Sequence, residues 1–137
     1  MNKHDAEKWQ QMAAEFNNDP FAIMIGMRIV ELDQGYAKVK LSLRPEHNSR
    51  IKRPHGGLIA TLLDHACGNA LDTMGRDTIG VQLSVNFIAG TRPDDTLIAE
   101  AWVVHLGKTM GTAEAVLTGS DGTVIAKALN TALVLTP

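Results

Sequence analysis

The segment from Gly57 to about Thr73 constrains the fold of this chain most. Leu58, Leu62, Ala66 and Ala70, flanked by Ile59, Leu63 and Leu71, recur at helical spacing and form a broad apolar surface that a helix must bury. Gly56, Ala60, Ala66, Gly68 and Ala70 keep that helix slim. After Gly75-Arg76-Asp77 the period changes. Ile79, Val81, Leu83, Val85 and Phe87 alternate with Gly80, Gln82, Ser84 and Asn86, as in a strand. Three more strands are expected, roughly Leu97 to His105, Thr109 to Leu117 and Val124 to Leu135, separated by Leu106-Gly107-Lys108 and Gly119-Ser120-Asp121-Gly122. Upstream, Met27 to Leu32 and Ala37 to Leu43 read as a hairpin through Asp33-Gln34-Gly35.

One substantial helix and a long antiparallel sheet form a core when the sheet's concave face wraps the helix, which gives a two-layer α+β fold. Trp9, Met12, Ala13 and Phe16 predict a short amphipathic helix from about Asp5 to Phe16, ending at Asn17-Asn18-Asp19-Pro20 and lidding or flanking the core. The polar, basic stretch from Arg44 to Pro54 reads as a loop. The chain is expected to be a single domain over 1–137, with 1–19 as a helical extension. One copy alone would expose an edge strand and much apolar surface, so pairing with a second copy is expected.

A net charge of −2 and a pI near 6.2 argue against a general nucleic-acid binder, whose affinity would come from a basic surface. The single cysteine, Cys67, can form neither an intrachain disulfide nor a cysteine metal cluster, so a cytoplasmic location is the default. The charged N-terminus lacks the apolar run of a secretory signal, and no stretch reaches membrane-span length. The histidines lack HExxH spacing and there is no CxxC, so no metal site is expected.

The chemistry concentrates where the central helix starts. His55-Gly56-Gly57 places unpaired glycine N–H groups and the positive end of the helix dipole where they can hold a carbonyl oxygen as it gains charge. Asp64 follows two turns on, near Gly57, Thr61 and Gly68 on one stripe and away from the Leu58/Leu62/Ala66 face. Its carboxylate can attack a carbonyl or activate water, and its identity does not decide between the two. The same glycines also suit a tight entry turn, and a helical Asp is often only an interface carboxylate. Cys67 sits among small residues and reads as core. His65 points about a quarter turn from Asp64, so the two make no dyad.

His55-Gly56-Gly57, Asp64 nine residues after the histidine, Asn86-Phe87, Asp95-Thr96-Leu97 and Gly107-Lys108-Thr109 together resemble the hotdog-fold thioesterase superfamily. The likeness is to its phenylacetate-degradation and acyl-CoA thioesterase 13-like branch and covers roughly residues 20 to 135. It implies a hotdog fold, homodimers that often pair into tetramers, and hydrolysis of acyl-CoA thioesters without metal or cofactor, at sites on the dimer interface. The rise from Gly57 to Asp64, roughly 10 Å at 1.5 Å per residue, fits that placement. A carbonyl on one copy's glycine amides is more readily reached by the partner's Asp64, if the central helices run antiparallel across the interface.

The resemblance makes Asp64 the catalytic acid, Gly56 or Gly57 the oxyanion donor with the first glycine favoured, and His55 a group that orients substrate and holds backbone. The family often has Asn or Gln six residues before the motif histidine. Here Asn48 precedes His55 by seven and Ser49 by six, and the usual loop glycine is replaced by Ile51 or Lys52. Asn48 with a loop one residue longer is preferred, because its amide both donates and accepts. Gln82 stands where relatives carry a polar strand residue beside the acid, although an exposed strand face explains the same alternation. Arg92, Lys108, Arg50, Lys52 and Arg53 are expected partners for coenzyme A phosphates. Met24, Met27, Met74, Met110, Phe21 and Trp102 could form an adaptable acyl pocket or simply core. A noncatalytic acyl-CoA sensor on the same fold is the alternative. A hotdog dehydratase would need a histidine and acid signature that is absent here.

Overall fold

The computed structural model describes residues 2–135; Met1, Thr136 and Pro137, the ends of the domain expected over 1–137, lie outside the described residues. The elements in chain order are helices α1 (Lys3–Phe16) and α2 (Pro20–Ile25), strands β1 (Arg28–Asp33) and β2 (Tyr36–Ser42), and helix α3 (Gly56–Asp72). Strands β3 (Thr78–Phe87), β4 (Thr96–Leu106), β5 (Met110–Thr118) and β6 (Val124–Val134) follow. The strands form one antiparallel sheet in the order β1-β2-β4-β5-β6-β3. This is the α+β architecture that the change of period from 3.6 to 2 implies.

α3 carries the core. Leu58, Ile59, Leu62, Leu63, Ala66, Cys67, Ala70 and Leu71 are buried against the sheet. Opposite them the strands present Ala37, Ala99, Ala101, Ala113, Ala115, Ala126, Ala128 and Ala132, whose short side chains let the helix sit close. Gly111 is the tightest point. A Cβ there would meet Leu106 Cδ1 at 2.9 Å and Leu71 Cδ2 at 3.0 Å, so the C-terminal end of α3 needs a bare backbone on β5. The β1–β2 turn uses Gly35 at φ +70°, where a side chain would strain.

The sheet's two edges differ. α1 lies along β1, with Trp9 buried and Met12, Ala13 and Phe16 against the core, so it flanks one edge. β3 is the other edge. There Ile79, Val81 and Phe87 are more than half exposed. The continuous alternation expected for β3 is broken between Gly80 and Gln82, where the register against β6 slips by one residue.

Two elements went unanticipated. α2 starts at the last residue of the expected Asn17-Asn18-Asp19-Pro20 break, with the Asp19 side chain accepting the Ala22 N–H and Pro20 in the first turn. A one-turn 3-10 helix, Pro45–His47, lies within the loop expected from Arg44 to Pro54. No helix among the described residues is long and apolar enough to cross a membrane.

Candidate active site

The loop before α3 brings Asn48 next to His55. Asn48 pairs with Pro54, Ser49 N–H donates to Arg53 O at 2.7 Å, and Lys52 N–H donates to Ser49 O at 3.0 Å. His55 N–H then donates to His47 O at 3.0 Å. Lys52, one of the two residues expected to replace a loop glycine, takes the left-handed conformation at φ +60°. The buried His47 ring anchors the loop: Nδ1 accepts from Arg44 N–H at 3.1 Å, and Nε2 donates to Ile25 O at 2.7 Å.

His55 is extended (φ −67°, ψ 136°) and caps α3 with its ring, Nδ1 accepting from Gly57 N–H at 2.8 Å. That bond separates the two glycines. The Gly57 amide is occupied, and Leu58 and Ile59 donate to His55 O at 3.0 and 3.3 Å. The exposed Gly56 N–H has no acceptor among the described residues. Of the two candidates, Gly56 therefore keeps a free donor at the positive end of the helix. The Phe87 ring edge lies 3.6 Å from where a Gly56 Cβ would be and walls this spot from β3.

Asp64 is exposed on the outer stripe of α3, with Gly57, Thr61 and Gly68 near it around the helix. Thr61 donates its hydroxyl to Gly57 O at 2.8 Å. Asp64 Oδ1 accepts from Asn130 Nδ2 at 3.0 Å. Asn130 is 2% exposed, and its buried Oδ1 has no partner among the described residues. Eight helical residues separate Gly56 from Asp64, roughly 12 Å along the axis. Within one chain a carbonyl seated on the Gly56 amide lies beyond the Asp64 carboxylate.

Asn48 is half-buried, and its buried Oδ1 has no hydrogen-bond partner among the described residues; Ser49 spends its amide on the loop turn. Gln82 is exposed and does not join Asp64 within the chain. Its neighbour Leu83 faces Asn130 and packs against the core, so Gln82 looks out from the opposite face. Arg92 contacts Asp95 at 3.5 Å and Ser120 Oγ at 3.1 Å. The Ser120 hydroxyl, two backbone N–H groups and Arg92 hold the Asp95 carboxyl below the usual carboxylate range, in a network that fastens the β5–β6 turn. Lys108 is exposed in the β4–β5 turn, at the end of the sheet where α3 finishes rather than begins. Arg50, Lys52 and Arg53 are exposed beside His55.

Cys67 is fully buried, and burial pushes its thiol up to about 12. Burial lowers the His65 pKa, and among the described residues its Nε2 has no partner and neither ring nitrogen bonds to Asp64. The methionines do not gather. Met27 is core, while Met24 and Phe21 are exposed on α2. Trp102 lines a groove of about 860 Å³ with Trp9 and Tyr36, between α1 and the sheet and away from Asp64. Among the described residues no three His, Cys, Asp or Glu side chains group as metal ligands.

The Asn130 contact spans 66 residues, and nothing local announces it. Its one sequence signal is an amide among Ala126, Ala128, Ala132 and Val134 on the inward face of β6.

A family model described as Thioesterase superfamily matches residues 54–126. The chain is 30% identical to the acyl-coenzyme A thioesterase PaaI of Escherichia coli, over 75% of this chain and 74% of that one. It is 26% identical to human acyl-coenzyme A thioesterase 13, over 75% and 76%. In three dimensions it is similar to the E. coli PaaI protein from the phenylacetic acid degradation operon, with TM-score 0.88, 24% identity and 96% of each chain covered. The antiparallel sheet around one helix is thus the hotdog fold.

Proposed function

The chain belongs to the thioesterase superfamily, and from that membership we propose that it hydrolyses small or medium acyl- or aryl-CoA thioesters to the free acid and CoA in the cytoplasm. The observation that carries the reading is the division of labour along α3. His55 ties down the Gly57 amide, the Gly56 amide stays free at the helix start, and a carboxylate stands two turns on. The thioester oxygen sits on Gly56 N–H, with the helix dipole favouring the charge it gains. Asn48, whose backbone pairs with Pro54 and whose side-chain carbonyl has no partner among the described residues, positions the thioester or the water.

Asp64 supplies the second function. Either its carboxylate attacks the carbonyl carbon, expelling the CoA thiolate and leaving an anhydride that water opens, or it takes a proton from water as that water attacks. Both routes return Asp64 and need no metal or cofactor. The axial separation of Gly56 and Asp64 supports a homodimer whose two α3 helices run antiparallel, each site joining one copy's amide to the partner's carboxylate. The dimer is proposed to pair further into a tetramer. The exposed bases Arg50, Lys52 and Arg53 lie nearest the glycine end and meet the CoA phosphates, with Arg92 at its margin; Lys108, at the opposite end of α3, is kept as a phosphate contact only across an interface. Gln82 is kept as a substrate contact only across an interface.

Thiol release from benzoyl-, phenylacetyl-, hexanoyl- and decanoyl-CoA tests this proposal. Turnover of at least one ester is expected. Tight binding of CoA esters with no thiol release from any of them would instead favour the noncatalytic sensor.

A further inference from the structure

We propose that Asn130 is a positioning residue for the thioester chemistry, holding Asp64 Oδ1 so that Oδ2 is the oxygen presented to substrate or water. This rests on the catalytic reading of Asp64 above.

Asn130 occupies an inward position of β6 where its neighbours on the same face are Ala126, Ala128, Ala132 and Val134. An amide buried there gives up hydration that only hydrogen bonds return, and an aliphatic side chain would pack without that penalty. At 2% exposure its Nδ2 donates to Asp64 Oδ1 at 3.0 Å, while its Oδ1 accepts nothing among the described residues. The amide is therefore poorly placed as a structural cross-link and well placed as a one-point clamp.

A third element borders the pair. A Cβ on Gly80 of β3 would come within 3.4 Å of Asn130 Nδ2 and 3.7 Å of Asp64 Oδ1. β3, β6 and α3 thus converge on one carboxylate oxygen, and Asp64 Oδ2 accepts no hydrogen bond among the described residues. A neutral donor suits this task. Lys or Arg at position 130 would cancel the charge that attack or proton abstraction uses, whereas an amide fixes the rotamer and leaves the charge in place.

The test compares wild type, Asn130→Ala, Asn130→Leu, Asp64→Asn and the double variant Asp64→Asn/Asn130→Leu in thiol release from whichever CoA ester the native protein turns over. Asn130→Ala removes the amide and matches the alanines around it; Asn130→Leu removes the amide and keeps the bulk. Both are expected to stay folded and to lower kcat by about 10- to 100-fold, the worth of a hydrogen bond to a charged group, with KM within about threefold. The double variant is expected to be no slower than Asp64→Asn. If Asp64→Asn abolishes turnover while both Asn130 variants keep wild-type kcat, or if Asn130→Leu slows the Asp64→Asn protein by the same factor as wild type, the positioning role is overturned and the site stands. Full turnover by Asp64→Asn would instead overturn the reading of Asp64 itself.

Discussion

Burial on the inner side of α3 turns Cys67 into packing. With its side chain fully buried and its thiol pushed up to about 12, almost no thiolate exists at neutral pH to react. A thiol-specific disulfide reagent is expected to leave Cys67 untouched in the native protein and to label it fully once denaturant unfolds the chain; rapid native labelling would contradict the packing. Asp72, at the end of the same helix, is perturbed in a way that affects stability. Burial pushes its carboxyl up to about 6, with Asp77 adding to the effect and the Thr78 hydroxyl opposing it. Between its ordinary pKa near 3.8 and about 6, the folded chain holds this proton more often than the unfolded chain does, so stability falls as pH rises through that window. Asp72→Asn cannot titrate and still accepts from Thr78. It is expected to exceed wild type in stability by about 1–2 kcal/mol at pH 7, after allowance for partial exposure, and to lose that lead near pH 4. Denaturant titration at the two pH values checks the sign; an equal gap at both would contradict it. At this scale the sequence was readable where chemistry is local. The Gly57–Thr61–Asp64–Gly68 stripe and the core role of Cys67 follow from helical angles alone. The choice between Gly56 and Gly57 does not, because it turns on where the His55 ring points, and Asn130 does not, because its partner comes from another layer.

The element most exposed to experiment is the start of α3. His55 supplies the cap that satisfies Gly57 N–H, so His55→Ala is expected to cost about 1 kcal/mol, and His55→Asn, a good capping side chain, to return most of it. Thermal unfolding of the three proteins checks this; equal stability of His55→Ala and wild type would deny the cap. α3 and β4 to β6 were legible because each is long enough for its period to repeat several times. α2, six residues long, gives no periodicity and is signalled only by Asp19-Pro20, which caps and starts a helix as readily as it breaks one. The bulge in β3 leaves no mark in the sequence because an inserted residue leaves both flanking segments alternating.

The whole molecule offers its two sheet edges differently. α1 flanks β1, whereas β3 keeps an unpaired edge with exposed Ile79, Val81 and Phe87, next to the Asp64 stripe. If a second copy covers β3, a lysine there should weaken association as edge lysines do. Val81→Lys is expected to raise the dimer dissociation constant by at least about tenfold, or 1.4 kcal/mol, and to lower specific activity in parallel at dilute concentration. Light scattering and turnover over a dilution series check this; full activity in a monomeric variant would show that one copy suffices. The sequence predicted self-association from exposed apolar surface, but which edge stays open depends on strand order, which no local pattern encodes.

Subunit complementation tests whether each site joins one copy's Gly56 amide to the partner's Asp64. Asp64→Ala removes the carboxylate. Gly56→Pro removes only the amide hydrogen, because proline is well tolerated at the first position of a helix and the preceding His55 is already extended. Each variant alone is expected to be inactive. After exchange of subunits in an equal mixture, about half the dimers are mixed, and each mixed dimer carries one intact site of two, so about a quarter of wild-type activity should return. A mixture no more active than its parents, under conditions where exchange is shown to occur, would contradict the shared site.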